Sequence, residues 1–323
     1  MITREKLEEK QVSLYFAVLI AATLFGFAWP SFGERLEAII SFVIAFLMYS
    51  MFSQIPFMSL KNAFKNSRFI SALLVTNFIV VPIVVWILSK FLPDNPSLLI
   101  GVYLVLLTPC IDYVIVFTSL GKGDEELILI STPLLFVTQM LLLPLYLWIF
   151  IGSEVAMIVE PGPFIEAFLE LIVLPLGIAI LIQIISRRSL KGERVLHISA
   201  WLPVPLMAVT LFVVVFSQIG KLPDFKDQVI KVVPIYIAFM VIMPMIAKYI
   251  GKLFTLDVAA GRTLIFSSAT RNSLLVLPLG LAFPDISTLV AAVIVTQTIV
   301  ELISELIYIR VVPNVLLQDK KLI

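Results

Sequence analysis

The sequence predicts an all-α membrane protein in which ten transmembrane helices form two inverted five-helix repeats. Three observations support this fold class: the composition, the spacing of the apolar stretches and an internal repeat of short motifs. Of the 323 residues, 60% are hydrophobic and 14% are charged, whereas roughly a quarter of a soluble domain is charged. The mean hydropathy of +1.09 agrees with this comparison. The chain is therefore expected to cross a lipid bilayer several times.

The composition also excludes several classes of protein. The formal net charge of +1 argues against a nucleic-acid partner. The single cysteine, Cys110, rules out an internal disulfide and a cluster of thiolate metal ligands. The only histidine, His197, lies in a basic loop, where a solvated side chain is the simplest interpretation. No nucleophile paired with a base, phosphate-binding loop or metal cluster is recognisable, so we expect neither an enzyme nor a bound cofactor or metal.

Ten apolar stretches are long enough, or nearly so, to cross a bilayer, for which a helix needs about 20 residues. The first follows the charged residues 1–10 and precedes no small-residue cleavage site, so it is interpreted as a span and not as a signal peptide. The predicted spans are 12–29, 36–55, 68–92, 97–119, 126–151, 164–186, 198–219, 229–251, 262–283 and 287–311. Because the loops are short, residues 1–323 are expected to form a single transmembrane domain.

The distribution of basic residues predicts the orientation of these spans. With ten spans, both termini lie on one side, and most of the lysines and arginines lie there too. The opposite side has only Arg35, Lys90, Lys221, Lys226 and Lys231. The positive-inside rule therefore places both termini in the cytoplasm of a multi-pass protein, which we expect in the plasma membrane.

Short motifs recur in the same order in the two halves of the chain. Phe-Ser-Gln-Ile at 52–55 recurs at 216–219, and Val-Thr-Gln at 137–139 recurs at 295–297. The glutamines of these motifs fit hydrogen bonding between helices as well as they fit ligand contact. In each half, a proline followed by a lysine eight residues later lies between these two motifs. The pairs are Pro82 with Lys90 and Pro244 with Lys252. The sequence therefore predicts an internal repeat.

Each predicted repeat contains five spans, which is an odd number. The second repeat, about 164–311, is therefore inverted in the membrane relative to the first, about 12–151. Inverted repeats are typical of secondary transporters, whose sites lie near the midplane between discontinuous helices. A channel or ligand-gated sensor is disfavoured, because two midplane breaks in inverted repeats imply alternating access. Ten spans can enclose a site alone, so no oligomer is required.

The first candidate break is the segment Thr-Pro-Cys-Ile-Asp-Tyr at 108–113, in the middle of an apolar run. A break at this depth is tolerated only where protein or water satisfies the backbone polar groups. It holds a helix-breaking proline, the thiol of Cys110 and the carboxylate of Asp112, and an intramembrane carboxylate indicates function. Cys110 is equally well interpreted as an inert small hydrophobic residue.

The internal repeat predicts a matching break in the ninth span. An offset of 158 carries Cys110 to Ser268 and Asp112 to Thr270, within the polar run 266–273. Two breaks at matching positions should cross, which would bring Arg271 and Asp112 together. They are candidates for a buried ion pair, with a purely structural clasp as the alternative.

In the tenth span, Glu301 and Glu305 are one helical turn apart and share a face. Either could carry protons or line a cavity, although Glu305 is expected at the cytoplasmic end beside Arg310. The candidate residues for substrate binding or coupling are Cys110, Asp112, Ser268, Thr270, Arg271, Asn272 and Glu301.

These motifs resemble a known superfamily. Pro-Cys-Ile at 109–111, then Leu-Gly-Lys-Gly-Asp at 120–124 and a long apolar fifth span, is similar to the bile acid:sodium symporters, and in particular to their arsenite-efflux (arsenical-resistance permease) branch. Residues 269–273 fall where the superfamily carries its second polar crossover motif. The resemblance implies a ten-span inverted-repeat carrier whose fourth and ninth spans cross at the site. It also implies that Cys110 matches a cysteine needed for transport in the arsenite branch.

The chain departs from that pattern at several positions. Val114 and Ile115 stand where the sodium symporters place Ser and Asn ligands, and Ser267 and Arg271 stand where they place a carboxylate and a Gln. A fixed guanidinium repels a cation, so coupling to protons is expected in preference to sodium. The arsenite branch has a ninth-span glutamate where this chain has Leu274, and Asp112 is the candidate to supply the missing carboxylate.

The sequence therefore predicts a secondary carrier that exports arsenite or a related metalloid against protons. The soft centre of arsenite favours thiolate sulfur, and a single sulfur bond suits a carrier because it permits release. Asp112 or Glu301 could exchange the coupling proton. The alternative is a carrier of a small organic anion, in which Arg271 holds the anion and Cys110 takes no part.

Overall fold

A computed structural model of the chain describes residues 4–55, 57, 66–111, 113–152, 166, 169–220, 222–281 and 286–319. Within these residues every regular element is helical. Six helices are long and apolar enough to cross a membrane, or seven if one bent pair is a single span. The all-helical membrane class is thus confirmed, while the ten-span inverted repeat stays a prediction.

The described helices are α1 (Arg4–Ala28), α2 (Pro30–Gln54), α3 (Ser67–Val75), α4 (Val81–Ser89), α5 (Pro96–Leu106), α6 (Val114–Leu120), α7 (Glu125–Ile151), α8 (Leu174–Ser186), α9 (Leu190–Ser199), α10 (Pro203–Ile219), α11 (Leu222–Leu253), α12 (Val258–Ala269), α13 (Ser273–Leu281) and α14 (Ser287–Val311). Short π-helical turns lie at Thr76–Val80, Leu169–Val173 and Val312–Leu316. The π-turn Thr76–Val80 joins α3 to α4 without a loop. Such turns are frequent at functional sites.

Local chemistry explains where several helices begin. The side chains of Asn66, Asn95, Asp124 and Asp257 each accept a hydrogen bond from a backbone N–H in the first turn of α3, α5, α7 and α12. These contacts satisfy N–H groups that have no partner inside the helix. Proline occupies the first turn of α2, α5 and α10, where its missing N–H costs nothing.

The chain divides into two compact units. Unit 1 comprises residues 1–55, 159–226 and 277–292, and unit 2 comprises residues 56–158, 227–276 and 293–323. Each unit is formed by three separated stretches of the chain, so neither corresponds to one continuous segment of the sequence.

Unit 1 is built on close packing of α1 and α2 against α10. A Cβ atom at Gly26 or Gly33 would lie 2.9 or 2.7 Å from the carbonyl oxygen of Phe216, which explains the glycines at these positions. The end of α2 is held by Gln183 of α8, whose Nε2 donates to the Ile55 carbonyl oxygen at 3.0 Å. These contacts make unit 1 a helix bundle with a capped second helix.

Unit 2 contains α3 to α7, most of α11 and α14, and all of α12. Its helices also approach closely: a Cβ atom at Gly121, just after α6, would lie 2.1 Å from the ring of Phe266 in α12. Tyr236 of α11 donates from its hydroxyl to the Val293 carbonyl oxygen of α14 at 3.1 Å. The candidate site residues lie in this unit.

Candidate substrate site

Two interrupted helices meet in unit 2. The helix α5 ends at Leu106 and α6 begins at Val114, while α12 ends at Ala269 and α13 begins at Ser273. We call residues 107–113 the first break and residues 270–272 the second break. The breaks predicted from the proline and polar residues thus coincide with real helix ends.

The backbones of the two breaks bind each other. Pro109 and Arg271 form an antiparallel β-bridge. The Cys110 N–H donates to the Thr270 carbonyl oxygen at 3.1 Å, and the Asn272 N–H donates to the Thr108 carbonyl oxygen at 2.8 Å. Each break therefore satisfies backbone groups that the other exposes, as an interruption inside a bilayer requires.

The side chain of Arg271, in the second break, forms hydrogen bonds to several other segments. Its side chain is fully buried. Its Nη2 donates to Asn77 Oδ1 at 2.8 Å and to the carbonyl oxygens of Ser267 and Ser268 at 2.8 and 2.6 Å. Its Nη1 lies 3.4 Å from the Leu106 carbonyl oxygen. The guanidinium thus bonds to neutral oxygens from three separate segments.

Glu301 joins the two breaks from α14. Its Oε1 accepts a hydrogen bond from the Tyr113 hydroxyl at 2.5 Å, and its Oε2 accepts from the Arg271 backbone N–H at 2.8 Å. The Gln297 side chain also donates to Oε2. Glu301 is therefore a buried carboxyl group held by donors from the first break, the second break and its own helix.

Glu305 corrects an expectation drawn from the sequence. It was expected beside Arg310 at the helix end, but it is fully buried and its Oε1 lies 2.7 Å from the Thr270 hydroxyl. The physical reason is helical periodicity, because a residue one turn after Glu301 must share its face. Within the described part of the chain, Glu305 Oε2 has no hydrogen-bond partner.

The remaining predicted residues fall in or beside the breaks. Cys110 is fully buried in the first break and follows Pro109, which forms a β-bridge with Arg271. Ser268 donates from its hydroxyl to the Ile265 carbonyl oxygen at 3.1 Å, and Asn272 Oδ1 accepts from the Leu275 N–H at 3.1 Å. The Ser268 side chain thus bonds within the last turn of α12, and the Asn272 side chain bonds to the first turn of α13.

Asp112 lies outside the described residues, so its ion pair with Arg271 stays a prediction. Asn77 was missed by sequence reasoning, although a polar Thr-Asn pair inside the apolar third span was an available signal. The described residues contain no group of three or more His, Cys, Asp or Glu side chains that could hold a metal ion. Among the described residues, the site offers one thiol, one guanidinium and a pair of carboxyl groups.

The sequence profile of the family described as Sodium Bile acid symporter family matches residues 41–225, which is more than half of the chain. The chain belongs to this family. Its members are transporters rather than enzymes, so the family indicates a membrane transporter. No curated protein matches the chain. The matched residues include Cys110 and the first break, whereas Arg271, Glu301 and Glu305 follow the end of the match.

Proposed function

We propose that this family member is a secondary carrier that exports arsenite or a related metalloid in exchange for protons. The observation that supports the proposal is the position of the thiol. Cys110 lies in the first break, its backbone is bonded to Thr270 of the second break, and the residue before it, Pro109, forms a β-bridge with Arg271. This position of a soft nucleophile supports the proposal, because transporters with discontinuous helices bind their solutes at such breaks.

Cys110 can capture arsenite by exchanging one ligand of arsenic, with no oxidation or reduction. Arsenite enters as the neutral trihydroxide, and the sulfur forms one bond to arsenic as one hydroxyl group departs. The thiol proton leaves with that hydroxyl as water, and the reverse reaction releases the solute. One sulfur bond is easily exchanged, whereas three thiolates would hold the metalloid too firmly for a carrier.

The proton is proposed to travel on the carboxyl groups of α14. The Thr270 hydroxyl lies 2.7 Å from both the Phe266 carbonyl oxygen and Glu305 Oε1. A hydroxyl has one proton, so both contacts are hydrogen bonds only when Glu305 also holds a proton. Glu301, one turn away, completes a pair that can exchange protons as the carrier alternates.

The proposed architecture follows the sequence prediction. We propose ten spans in a single domain, with the repeats at about 12–151 and 164–311 inverted relative to each other. Both termini would lie in the cytoplasm and the protein in the plasma membrane. No oligomer is needed, because one chain supplies both breaks. Coupling to protons is preferred to coupling to sodium, because the second break already contains a guanidinium.

A carrier of a small organic anion is the alternative. Within the described part of the chain, Arg271 Nε and Asn272 Nδ2 are buried and have no hydrogen-bond acceptor. These two donors could bind a carboxylate or a similar anion. In that case Arg271 would hold the anion and Cys110 would be a packing residue.

Uptake into everted membrane vesicles separates the two proposals. We expect wild-type vesicles to accumulate arsenite when a proton gradient is imposed, and a sodium gradient to add nothing. Cys110→Ser should abolish accumulation, because serine keeps the size but not the affinity for arsenic. Ser186→Ala is the matched control, since the Ser186 hydroxyl donates within its own helix, α8, to the Gln183 carbonyl oxygen.

Uptake of a bile acid and of short monocarboxylates is measured on the same vesicles. If organic anions accumulate and Cys110→Ser leaves that uptake unchanged, the thiol is a bystander and the arsenite proposal fails. Arsenite accumulation that survives in Cys110→Ser would contradict it equally.

A further inference from the structure

The guanidinium of Arg271 fills a space lined by oxygen atoms where the two breaks meet. Its four hydrogen-bond acceptors are Asn77 Oδ1 and the carbonyl oxygens of Ser267, Ser268 and Leu106, at 2.6 to 3.4 Å. All four are uncharged oxygens. A set of neutral oxygens around a positive charge is the environment in which proteins bind monovalent metal cations.

Three of these oxygens belong to the ends of two interrupted helices. Leu106 is the last residue of α5, and Ser267 and Ser268 lie in the last turn of α12. Carbonyl groups in a last turn lack partners within the helix and carry its partial negative charge. In transporters, the carboxyl ends of half-helices are a recurring ligand set for coupling cations.

An independent element supplies the fourth oxygen, which meets the same guanidinium nitrogen, Nη2, as the oxygens of Ser267 and Ser268, whereas the Leu106 oxygen faces Nη1. Asn77 belongs to the π-turn Thr76–Val80 and is fully buried. Its Nδ2 lies 3.1 Å from the Leu73 carbonyl oxygen and 3.3 Å from Ser267 Oγ. These contacts fix the amide so that Oδ1 faces the guanidinium.

Two further neighbours favour a positive charge here. The Glu301 carboxyl group accepts from the Arg271 backbone N–H, so it remains in place whatever side chain residue 271 carries. The ring of Phe239 has its centroid 5.6 Å from the guanidinium carbon, a distance suited to a cation–π interaction. The electrostatic environment of this space therefore favours a positive charge in general, and not arginine alone.

We propose that Arg271 is a resident cation, that is, a tethered positive charge in a site with the ligands of an alkali-metal ion. The wild-type chain therefore binds no Na⁺ or K⁺ at this site, and a short neutral side chain at position 271 opens the site to such an ion. This inference rests only on the geometry of the breaks and not on the identity of the transported solute.

Thermal unfolding of the detergent-purified protein tests the proposal, because it reports binding and not transport. Wild type and Arg271→Ala are compared in sodium, potassium and choline chloride at equal ionic strength. We expect the wild-type unfolding temperature to be the same in all three salts. Arg271→Ala should unfold at least about 2 °C higher in sodium or potassium than in choline. This difference in unfolding temperature should level off as the concentration of the metal ion is raised.

Arg262→Ala is the matched control. Arg262 is a second buried arginine of unit 2 that donates to carbonyl oxygens, those of Leu317 and Lys122. It differs in also pairing with Asp319, whose side chain is 70% exposed. Its loss should lower the unfolding temperature equally in every salt.

For a variant too unstable to purify, the yield of monodisperse protein extracted from membranes in each salt gives the same comparison. Arg271→Lys, which keeps a tethered charge, should be insensitive to the choice of salt. The proposal is overturned if Arg271→Ala responds alike to choline and to both metal ions, or if the wild type is itself stabilised by sodium or potassium over choline.

Discussion

The two breaks of unit 2 are joined by backbone hydrogen bonds but carry side chains of different chemistry. In the first break, Cys110 is buried and the Thr108 hydroxyl bonds to its own helix, at the Leu104 carbonyl oxygen. In the second break, the Thr270 hydroxyl, the Arg271 guanidinium and the Asn272 amide oxygen all form hydrogen bonds. Because the backbones satisfy one another, the side chains need not be alike. One break contains a buried thiol while the other holds a fixed charge.

The largest expected effect comes from removing the carboxyl group that joins the breaks. Glu301→Ala removes the acceptor of two buried donors, the Arg271 backbone N–H and the Gln297 amide, and leaves the Tyr113 hydroxyl with its longer contact to the Arg271 carbonyl oxygen at 3.0 Å. A buried donor without a partner costs about 1–3 kcal/mol, so we expect a loss of about 3–5 kcal/mol in the free energy of unfolding. Thermal unfolding in detergent measures this loss.

Glu305→Ala is the control for that change, because among the described residues it removes one hydrogen bond, with Thr270. Its effect on the unfolding temperature should be well under half of the Glu301→Ala effect. Equal effects of the two substitutions would mean that Glu301 does not join the breaks.

A smaller loss is expected where the helices beside the two breaks touch. A Cβ atom at Gly121 would lie 2.1 and 2.2 Å from two ring atoms of Phe266, which is fully buried. Overpacking of this kind costs about 1–3 kcal/mol, so Gly121→Ala should lower the unfolding temperature and slow transport. Both are measured on the same preparation.

Gly177→Ala in α8 is the matched substitution, because no atom of the described residues outside its own stretch of helix lies within 4 Å of the added Cβ atom. It should stabilise the protein by about 0.5–1 kcal/mol, since alanine is the better helix former. A stabilising Gly121→Ala would show that α6 and α12 are not in close contact.

The smallest effect on stability is expected at the thiol itself. Cys110→Ser changes one buried atom in a break whose backbone contacts, such as that with Thr270, remain. We expect the free energy of unfolding to change by less than about 1.5 kcal/mol while arsenite transport is lost. A strong destabilisation would instead assign Cys110 to packing and remove the contrast between the two breaks.

The positions of both breaks were predictable from local features. Pro109 cannot continue a helix within an apolar run, and the run 266–273 is too polar to face lipid. The last predicted span, 287–311, also coincides with α14, because its apolar run has clear ends. Sequence reasoning could place Glu301 on an inward face, but it misplaced Glu305, since the nearby Arg310 suggested a helix end in water.

The sequence alone determined that this chain is an apolar helical membrane protein with a thiol in one interrupted helix and an arginine in another. Composition and proline placement suffice for that, because the bilayer excludes unsatisfied backbone groups wherever they occur. Only the tertiary structure decided what surrounds Arg271. Its oxygen partners include Asn77 and Leu106, 194 and 165 residues away in the chain. Such contacts depend on how the π-turn Thr76–Val80, α5 and α12 pack, which no local pattern encodes.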